Sequence, residues 1–325
     1  MEDYKYKISF IVPLYNAEKY IGDCLDSILN SDLPHDIYEI VVIDDGSKDK
    51  GPDIVKHYQD KCKQITLLSQ SNQGQSVARN YGIKECKGEY IWCVDADDQM
   101  NGSLKCVSDT LYAHQSLDIL AWRLKQVKED GTFVRHECIQ RVPHNRILSG
   151  RDAIIYGYNP SSVCALAIRK QLMIDNELMF QTGITHQDVE LSYRLFAAAK
   201  LVYFTSQVPY IYILHPNSTS QSRQNEKKMK YLKDEVYVIK SFRKLAKRYE
   251  TDDMLSNTIY NRSQNNLFGL VLSIYHHKQE WKENGWGREL VHILEKEGLY
   301  PLKGSFDSVK KYVVSRFLNI KCLLY

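Results

Sequence analysis

The amino-acid sequence predicts an α/β protein, with a mainly parallel sheet flanked by helices and a helical C-terminal region. Three observations lead there. Short runs rich in β-branched residues alternate with helical patterns through the first hundred positions, and the connections between them are short. From about residue 226 onward, apolar residues recur at helical spacing.

The runs 8–12, 40–43, 65–68 and 90–94 read as buried strands, and the stretches 20–29, 52–58 and 75–85 between them read as helices. Ligands of such sheets bind beyond the carboxyl ends of the strands. Three clusters, 13–16, 44–47 and 95–98, each directly follow a strand and therefore share that edge. The rhythm loosens over 101–220. There Asp130-Gly131 predicts a hairpin turn between strand-like 119–127 and 132–134. Ser149 is a candidate N-cap for a helix reaching Tyr156, a further helix spans 189–199, and strands follow at 201–204 and 209–214. Met229, Leu232, Val236, Ile239 and Leu245 then mark an amphipathic helix. The polar stretch 217–228 separates it from what precedes. The expected organisation is a regular strand–helix half over 1–100, a less regular half of the same domain over 101–220, and a helical region over 221–325.

Composition sets outer limits. The apolar fraction is 43%, the charged fraction 26% and the net charge +3, which gives no electrostatic case for nucleic acid as a partner. The start of the chain lacks the apolar core and small-residue site of a signal peptide, and no run approaches the ~20 apolar residues that cross a bilayer. Eight cysteines are scattered with no C-x-x-C pair, which points to reduced thiols and a cytoplasmic protein.

The chemistry begins with Asp95-Ala96-Asp97-Asp98. Carboxylates this close repel one another unless a cation neutralises them, and hard oxygens suit Mg2+ or Mn2+. A D-x-D tripeptide arises roughly once by chance in a chain of this size, and an acidic turn capping the next helix is the other reading. Its context is more specific. Val12-Pro13-Leu14-Tyr15-Asn16, Asp44-Asp45-Gly46-Ser47, Asn72-Gln73-Gly74 with Ala78-Arg79-Asn80, and Gly88-Glu89-Tyr90 precede it in that order.

With these motifs the sequence resembles glycosyltransferase family 2, the inverting family with the A-type nucleotide-binding fold, from residue 8 to about residue 220. The resemblance implies transfer of a sugar from a nucleotide sugar, of UDP type, to a hydroxyl on a glycan or lipid-linked saccharide. It implies that Pro13 and Tyr15 line the nucleobase pocket and that Asp44 accepts a hydrogen bond from the base. Asn72 and Arg79 then close around the nucleotide, Asp95 sits near the ribose, and Asp97 binds the divalent metal, Mn2+ or Mg2+. Asn80 and Gly82 are read instead as residues that let their helix pack closely on the sheet.

The segment Gly183-Ile184-Thr185-His186-Gln187-Asp188 resembles the family's base-bearing helix start, which makes Asp188 the general base, although a carboxylate there also suits an N-cap. The family usually has glutamate where this chain has Gln187. Tyr210 to Ser218 resembles the family's closing segment, with His215 as a metal ligand and Ile213 where arginine is common. The polar run after it is a candidate lid.

The tail sets Val313, Phe317, Ile320 and Leu324 on one helical stripe beside Lys310, Lys311, Arg316 and Lys321. It reads either as a segment lying on the inner face of an anionic membrane or as a packed helix with a solvated basic face. Other function classes fit less well. A dehydrogenase needs a glycine-rich turn after the first strand, and Pro13 to Glu18 has no glycine. A nucleotidyltransferase leaves the Asp188 and His215 segments without a role. A non-catalytic nucleotide-sugar-binding or scaffold subunit of the same fold is the remaining rival, and the intact carboxylate motifs weigh against it.

Overall fold

A computed structural model describes residues 4–138, 140–159, 162–215, 225–304, 306, 308–321 and 324. The chain divides into two compact units, one of Met1–Gly183 and Gln187–Ser218, the other of Ile184–His186 and Thr219–Tyr325.

In the first unit, β1 (Tyr6–Leu14), β2 (Tyr38–Asp44), β3 (Ile65–Ser69) and β4 (Gly88–Cys93) alternate with α1 (Ile21–Leu29), α2 (Gly51–Lys61) and α3 (Gln75–Glu85). β1 pairs in parallel with β2 and with β4, and β2 pairs in parallel with β3. Their carboxyl ends therefore share one edge, where Leu14 lies opposite Asp44 and Asp44 opposite Ser69. β2 is buried along its whole length, as a strand covered on both faces must be.

Beyond β4 the sheet changes direction. Its order is β3-β2-β1-β4-β10-β6-β11-β9, with β10 (Leu166–Arg169) antiparallel to β4 and to β6 (Ile119–Ala121). β11 (Val202–Phe204) runs parallel to β6, and β9 (Ile147–Leu148) closes the edge. A smaller sheet orders β5 (Gln99–Met100), β12 (Tyr210–Leu214), β7 (Leu124–Lys128) and β8 (Phe133–Glu137). The hairpin expected at Asp130-Gly131 joins β7 to β8, and Gly131 supplies the positive φ that the turn requires.

The single strand expected over 119–127 is two. β6 and β7 belong to different sheets and break at Trp122-Arg123, because Trp122 turns into the core. Its ring lies 4.3 Å from that of Trp92, and both indole N–H groups donate to the Cys164 carbonyl. β10 and the short β5 and β9 carry too few residues to show a period in the sequence.

Close packing dictates composition at a few positions. A Cβ on Gly82 of α3 would fall 2.5 Å from Ile43 and 2.7 Å from Ile11, so glycine lets α3 lie against the sheet. The Asn80 amide exchanges hydrogen bonds with both backbone groups of Phe180. Ser149 caps α5 (Gly150–Ile155) by accepting from the Asp152 N–H. At Gly150 a Cβ would meet the Phe196 carbonyl at 1.9 Å, which brings α5 tightly onto α7 (Gln187–Ala198).

The second unit is helical: α8 (Asn225–Arg248), α9 (Asp253–His276), α10 (Lys278–Lys282), α11 (Trp286–Lys296) and α12 (Val309–Leu318). The stripe expected on α8 is its buried face, since Met229, Leu232, Val236, Ile239 and Leu245 are all at most 9% exposed. Within the same unit the Thr185 N–H and hydroxyl donate to Asp234 of α8. The stripe expected on the tail needs correction. Val313, Phe317 and Ile320 face outward, but Leu324 is fully buried, because α12 stops at Leu318 and the chain turns back to the core. Among the described residues no helix is long and apolar enough to cross a membrane. The candidate lid, the polar run after Ser218, begins outside the described residues, which resume at Asn225.

Candidate active site

The expected nucleotide-side residues lie along the carboxyl edge of β1 to β4. Pro13 is buried within β1 opposite Ile43, whereas the Tyr15 ring beyond it is half exposed. The loops after β1 and β2 brace each other: the Asn16 N–H donates to Ser47 Oγ, and the Lys48 N–H donates to Asn16 Oδ1. Asp44 is nearly buried and accepts from the Ser47 N–H at 2.9 Å. Its neighbour Asp45, without an expected role of its own, folds the loop carrying Asn72. Its carboxylate accepts from the Gln70 side chain and from the Gln73 and Gly74 N–H groups, each at 2.8 Å. Asn72 is exposed, and its backbone lies so near Gly46 that a Cβ there would sit 2.9 Å away.

A second cluster forms around Arg79, which is 1% exposed. Nη2 donates to Asp95 Oδ1 at 2.6 Å and Nη1 to Asp188 Oδ1 at 2.9 Å. One guanidinium thus joins the end of β4 to the start of α7, across 109 positions of sequence. Its plane lies over the Phe180 ring, and Nε finds no hydrogen-bond partner among the described residues. The other Asp188 oxygen accepts only a long, 3.3 Å bond from the Val163 N–H. Both partners lie outside α7, which begins at Gln187, one residue before Asp188. Burial pushes the Asp188 pKa up, Arg79 opposes that, and Asp95 adds to it.

Two side chains complete a chain of contacts that the sequence did not reveal. Gln187 donates to Gln75 Oε1 at 3.1 Å, and Gln75 donates to Asp95 Oδ1 at 2.9 Å. Helices α3 and α7 are therefore linked twice, once by charge through Arg79 and once by neutral amides.

The rest of the acidic turn has separate duties. Asp98, 2% exposed, accepts from the Tyr210 hydroxyl at 2.7 Å and from the Ile213 N–H at 2.8 Å, while Tyr210 in turn accepts from the Asp95 N–H. Burial, then Asp95 and Asp97, hold Asp98 well above the ordinary carboxylate pKa. The turn does not cap the following helix α4 (Lys105–Ala113), since Asp32 accepts from the Leu104 and Lys105 N–H groups there.

Asp97 is 44% exposed, and its Oδ2 lies 3.9 Å from His215 Nε2. Nδ1 of that ring bonds to Glu129 at 2.6 Å, while Nε2 lies 3.2 Å from the Asp97 carbonyl. Burial alone lowers the His215 pKa, but the bond to Glu129 and the two Asp97 oxygens raise it overall. A carboxylate on Nδ1 is also the arrangement that orients a metal-ligating imidazole. Among the described residues no three His, Cys, Asp or Glu side chains converge as a closed cation cage, so Asp97 and His215 are two oxygen and nitrogen donors side by side without a third.

A cleft of about 650 Å3 runs past Asp95, Asp98 and Asp188 to His136, Asn159 and Tyr212. Among the described residues Cys24, Cys62, Cys86, Cys93, Cys106 and Cys164 are free thiols.

Residues 9–171 match the family described as Glycosyl transferase family 2. The chain is 30% identical to the uncharacterized glycosyltransferase YibD of Escherichia coli (strain K12), over 77% of this chain and 74% of that protein. It is 32% identical to the poly(ribitol-phosphate) beta-N-acetylglucosaminyltransferase TarS of Staphylococcus aureus (strain Mu50), over 57% of this chain but only 31% of the relative, so it spans about a third of TarS. Among solved structures, residues 1–349 of S. aureus TarS in complex with UDP-GlcNAc align with a TM-score of 0.69 at 22% identity, over 98% of this chain and 89% of that one. A mannosyltransferase from Pyrobaculum calidifontis, in complex with GDP-Man and Mn2+, aligns at 0.55 and 16% identity, over 99% and 86%. At these identities the likeness is one of fold, the A-type glycosyltransferase fold.

Proposed function

Since this chain belongs to glycosyl transferase family 2 and is a glycosyltransferase, we propose that it transfers a sugar from a UDP-sugar to a hydroxyl of a glycan or lipid-linked saccharide, with inversion. One observation carries the reading: Arg79 ties Asp95, at the nucleotide edge, to Asp188, at the head of the cleft. Donor-side and acceptor-side carboxylates are thereby held in one fixed geometry, as a single displacement requires.

In this reading Tyr15 offers its exposed ring to the nucleobase, Asp44 accepts from a base N–H, and Asn72 flanks the nucleotide. Asp188 takes the proton from the acceptor hydroxyl through the oxygen that Arg79 does not hold. The acceptor oxygen bonds to the anomeric carbon as the bond from that carbon to the diphosphate oxygen breaks, and its electron pair leaves with UDP. Asp97 and His215 would hold the Mn2+ or Mg2+ that neutralises the departing diphosphate. His136 and Asn159, on the far wall of the cleft, then face the acceptor. The founding test is a panel of nucleotide sugars with Mn2+, read as thermal stabilisation and UDP release. UDP-sugars raise the unfolding temperature and at least one is turned over. A panel in which no nucleotide sugar does either overturns the reading.

Asp97→Asn tests the metal assignment. UDP affinity of the native protein rises with added Mn2+, whereas the variant binds UDP alike with and without Mn2+. Transfer that a chelator leaves untouched sinks the assignment.

Gln187→Glu tests the neutral link. Burial already places the Asp188 pKa above the ordinary carboxylate value of about 4, so activity falls as pH drops through the raised value. A second carboxylate beside it raises that pKa further, and a carboxylate cannot donate to Gln75. The acidic limb of the pH–rate profile moves to higher pH by up to about one unit. A limb that stays in place argues against Asp188 as the titrating base.

A further inference from the structure

Helix α12 has two apolar faces, and the fold covers only one. Leu318 is fully buried and Val314 packs against the same core cluster, together with Leu302 and Tyr300. Ser308 caps the helix start, and Lys311 reaches Asn265 of α9. The helix is therefore already anchored, and its second face is left largely exposed, although the Phe317 ring meets that of Tyr275 edge-on at 5.8 Å.

That second face holds Val309, Tyr312, Val313, Arg316, Phe317 and Ile320, spaced three and four apart as one stripe. Val309 is 80% exposed and Val313 60%, while Tyr312, Phe317 and Ile320 are each nearly half exposed. Single exposed apolar residues are ordinary, but a contiguous stripe of five marks an interaction surface. Its charge has one sign: from Ser308 to Tyr325 the sequence contains four basic residues and no acidic one. Lys321 is engaged by Glu295 of α11, and the Arg316 guanidinium lies over the Tyr312 ring. Lys310 and Arg316 are exposed beside the stripe.

We propose that this face of α12 docks on an anionic phospholipid surface. The stripe is a convex helix side with aromatic and branched side chains projecting and cations at its flank. A bilayer interface accepts such a shape, its acyl region taking the apolar side chains and its phosphates the cations. A protein partner would need a complementary groove, and an acidic polypeptide would leave the five apolar side chains in water. The proposal concerns a surface of the helical unit and does not rest on the chemistry of the cleft.

The experiment is vesicle flotation of the full chain, with phosphatidylcholine alone and with phosphatidylcholine plus phosphatidylglycerol. The protein floats with the anionic vesicles, stays down with the neutral ones, and is released by high salt. Val313→Ser with Phe317→Ser, and separately Lys310→Gln with Arg316→Gln, each lower the partition coefficient about tenfold or more. All four positions are exposed, so an unchanged unfolding midpoint and unchanged UDP stabilisation certify the fold and the cleft. Absence of flotation with anionic vesicles overturns the proposal, as does equal partition of the variants. It is also overturned by a concentration-dependent dimer that the Val313/Phe317 variant abolishes, which would make the stripe a contact between copies, or by retention on an acidic polypeptide without vesicle binding.

Discussion

Asp188→Asn binds UDP as the native protein does and releases it from a UDP-sugar about 10²–10⁴-fold more slowly. The asparagine keeps an oxygen for Arg79, so the bond between α3 and α7 survives, and the side chain has nearly the same volume. What disappears is the proton acceptor. Water or acceptor then attacks without a base, while the nucleotide edge, built from the ends of β1 to β4, is unaltered. Single-turnover UDP release and calorimetric UDP titration measure the two halves separately. Native turnover in the variant would remove Asp188 from the mechanism, and lost UDP binding would make it structural.

Arg79→Met has the largest expected effect on stability. The guanidinium is 1% exposed and holds two carboxylates. Without it Asp95 and Asp188 confront each other, and breaking a buried ion pair from one side costs about 3–5 kcal/mol. The sign of the pH dependence follows from the Asp188 shift, which is upward even with Arg79 present. A carboxylate whose folded-state pKa is raised stabilises the fold when protonated, and loses that contribution as pH rises through the folded value. In the variant the shift grows. Its deficit by urea unfolding is therefore larger near pH 8 than near pH 5. A deficit independent of pH would mean that the loss is one of packing, such as the contact with Phe180, rather than of charge.

The sequence reveals the first hundred residues better than the rest, for a physical reason. β1, β2 and β4 are almost wholly buried, so their apolar runs stand out, and each crossover is short enough to read locally. β10 is four residues long, and nothing local distinguishes β6 from β7 in the run 119–127. Only Trp122 turning onto Trp92 separates them. In the candidate site, Asp95, Asp97 and Asp188 stand out in the sequence only through the order of the motifs around them, since Asp45 and Asp98, carboxylates of the same motifs, brace loops and strands instead. Their connections are not visible. Gln75 and Glu129 belong to no motif, and their roles appear only when residues over a hundred positions apart meet at Gln187, or 86 apart at His215. Leu324 shows the opposite failure: its helical spacing from Ile320 carries no meaning, because the helix ends at Leu318.

The change of direction between β4 and β10 bears on how the chain is made. β1 to β4 and their helices are contiguous in sequence and can associate as soon as they leave the ribosome. β10, which closes the open side of β4, ends 76 residues after Cys93. At ~5–20 residues per second, that edge stays bare for ~4–15 s. Until it is closed, β4 offers Tyr90, Ile91 and Trp92 to any neighbouring strand. Slower translation of the 94–169 interval is therefore expected to raise aggregation during synthesis while leaving the stability of the finished sheet unchanged.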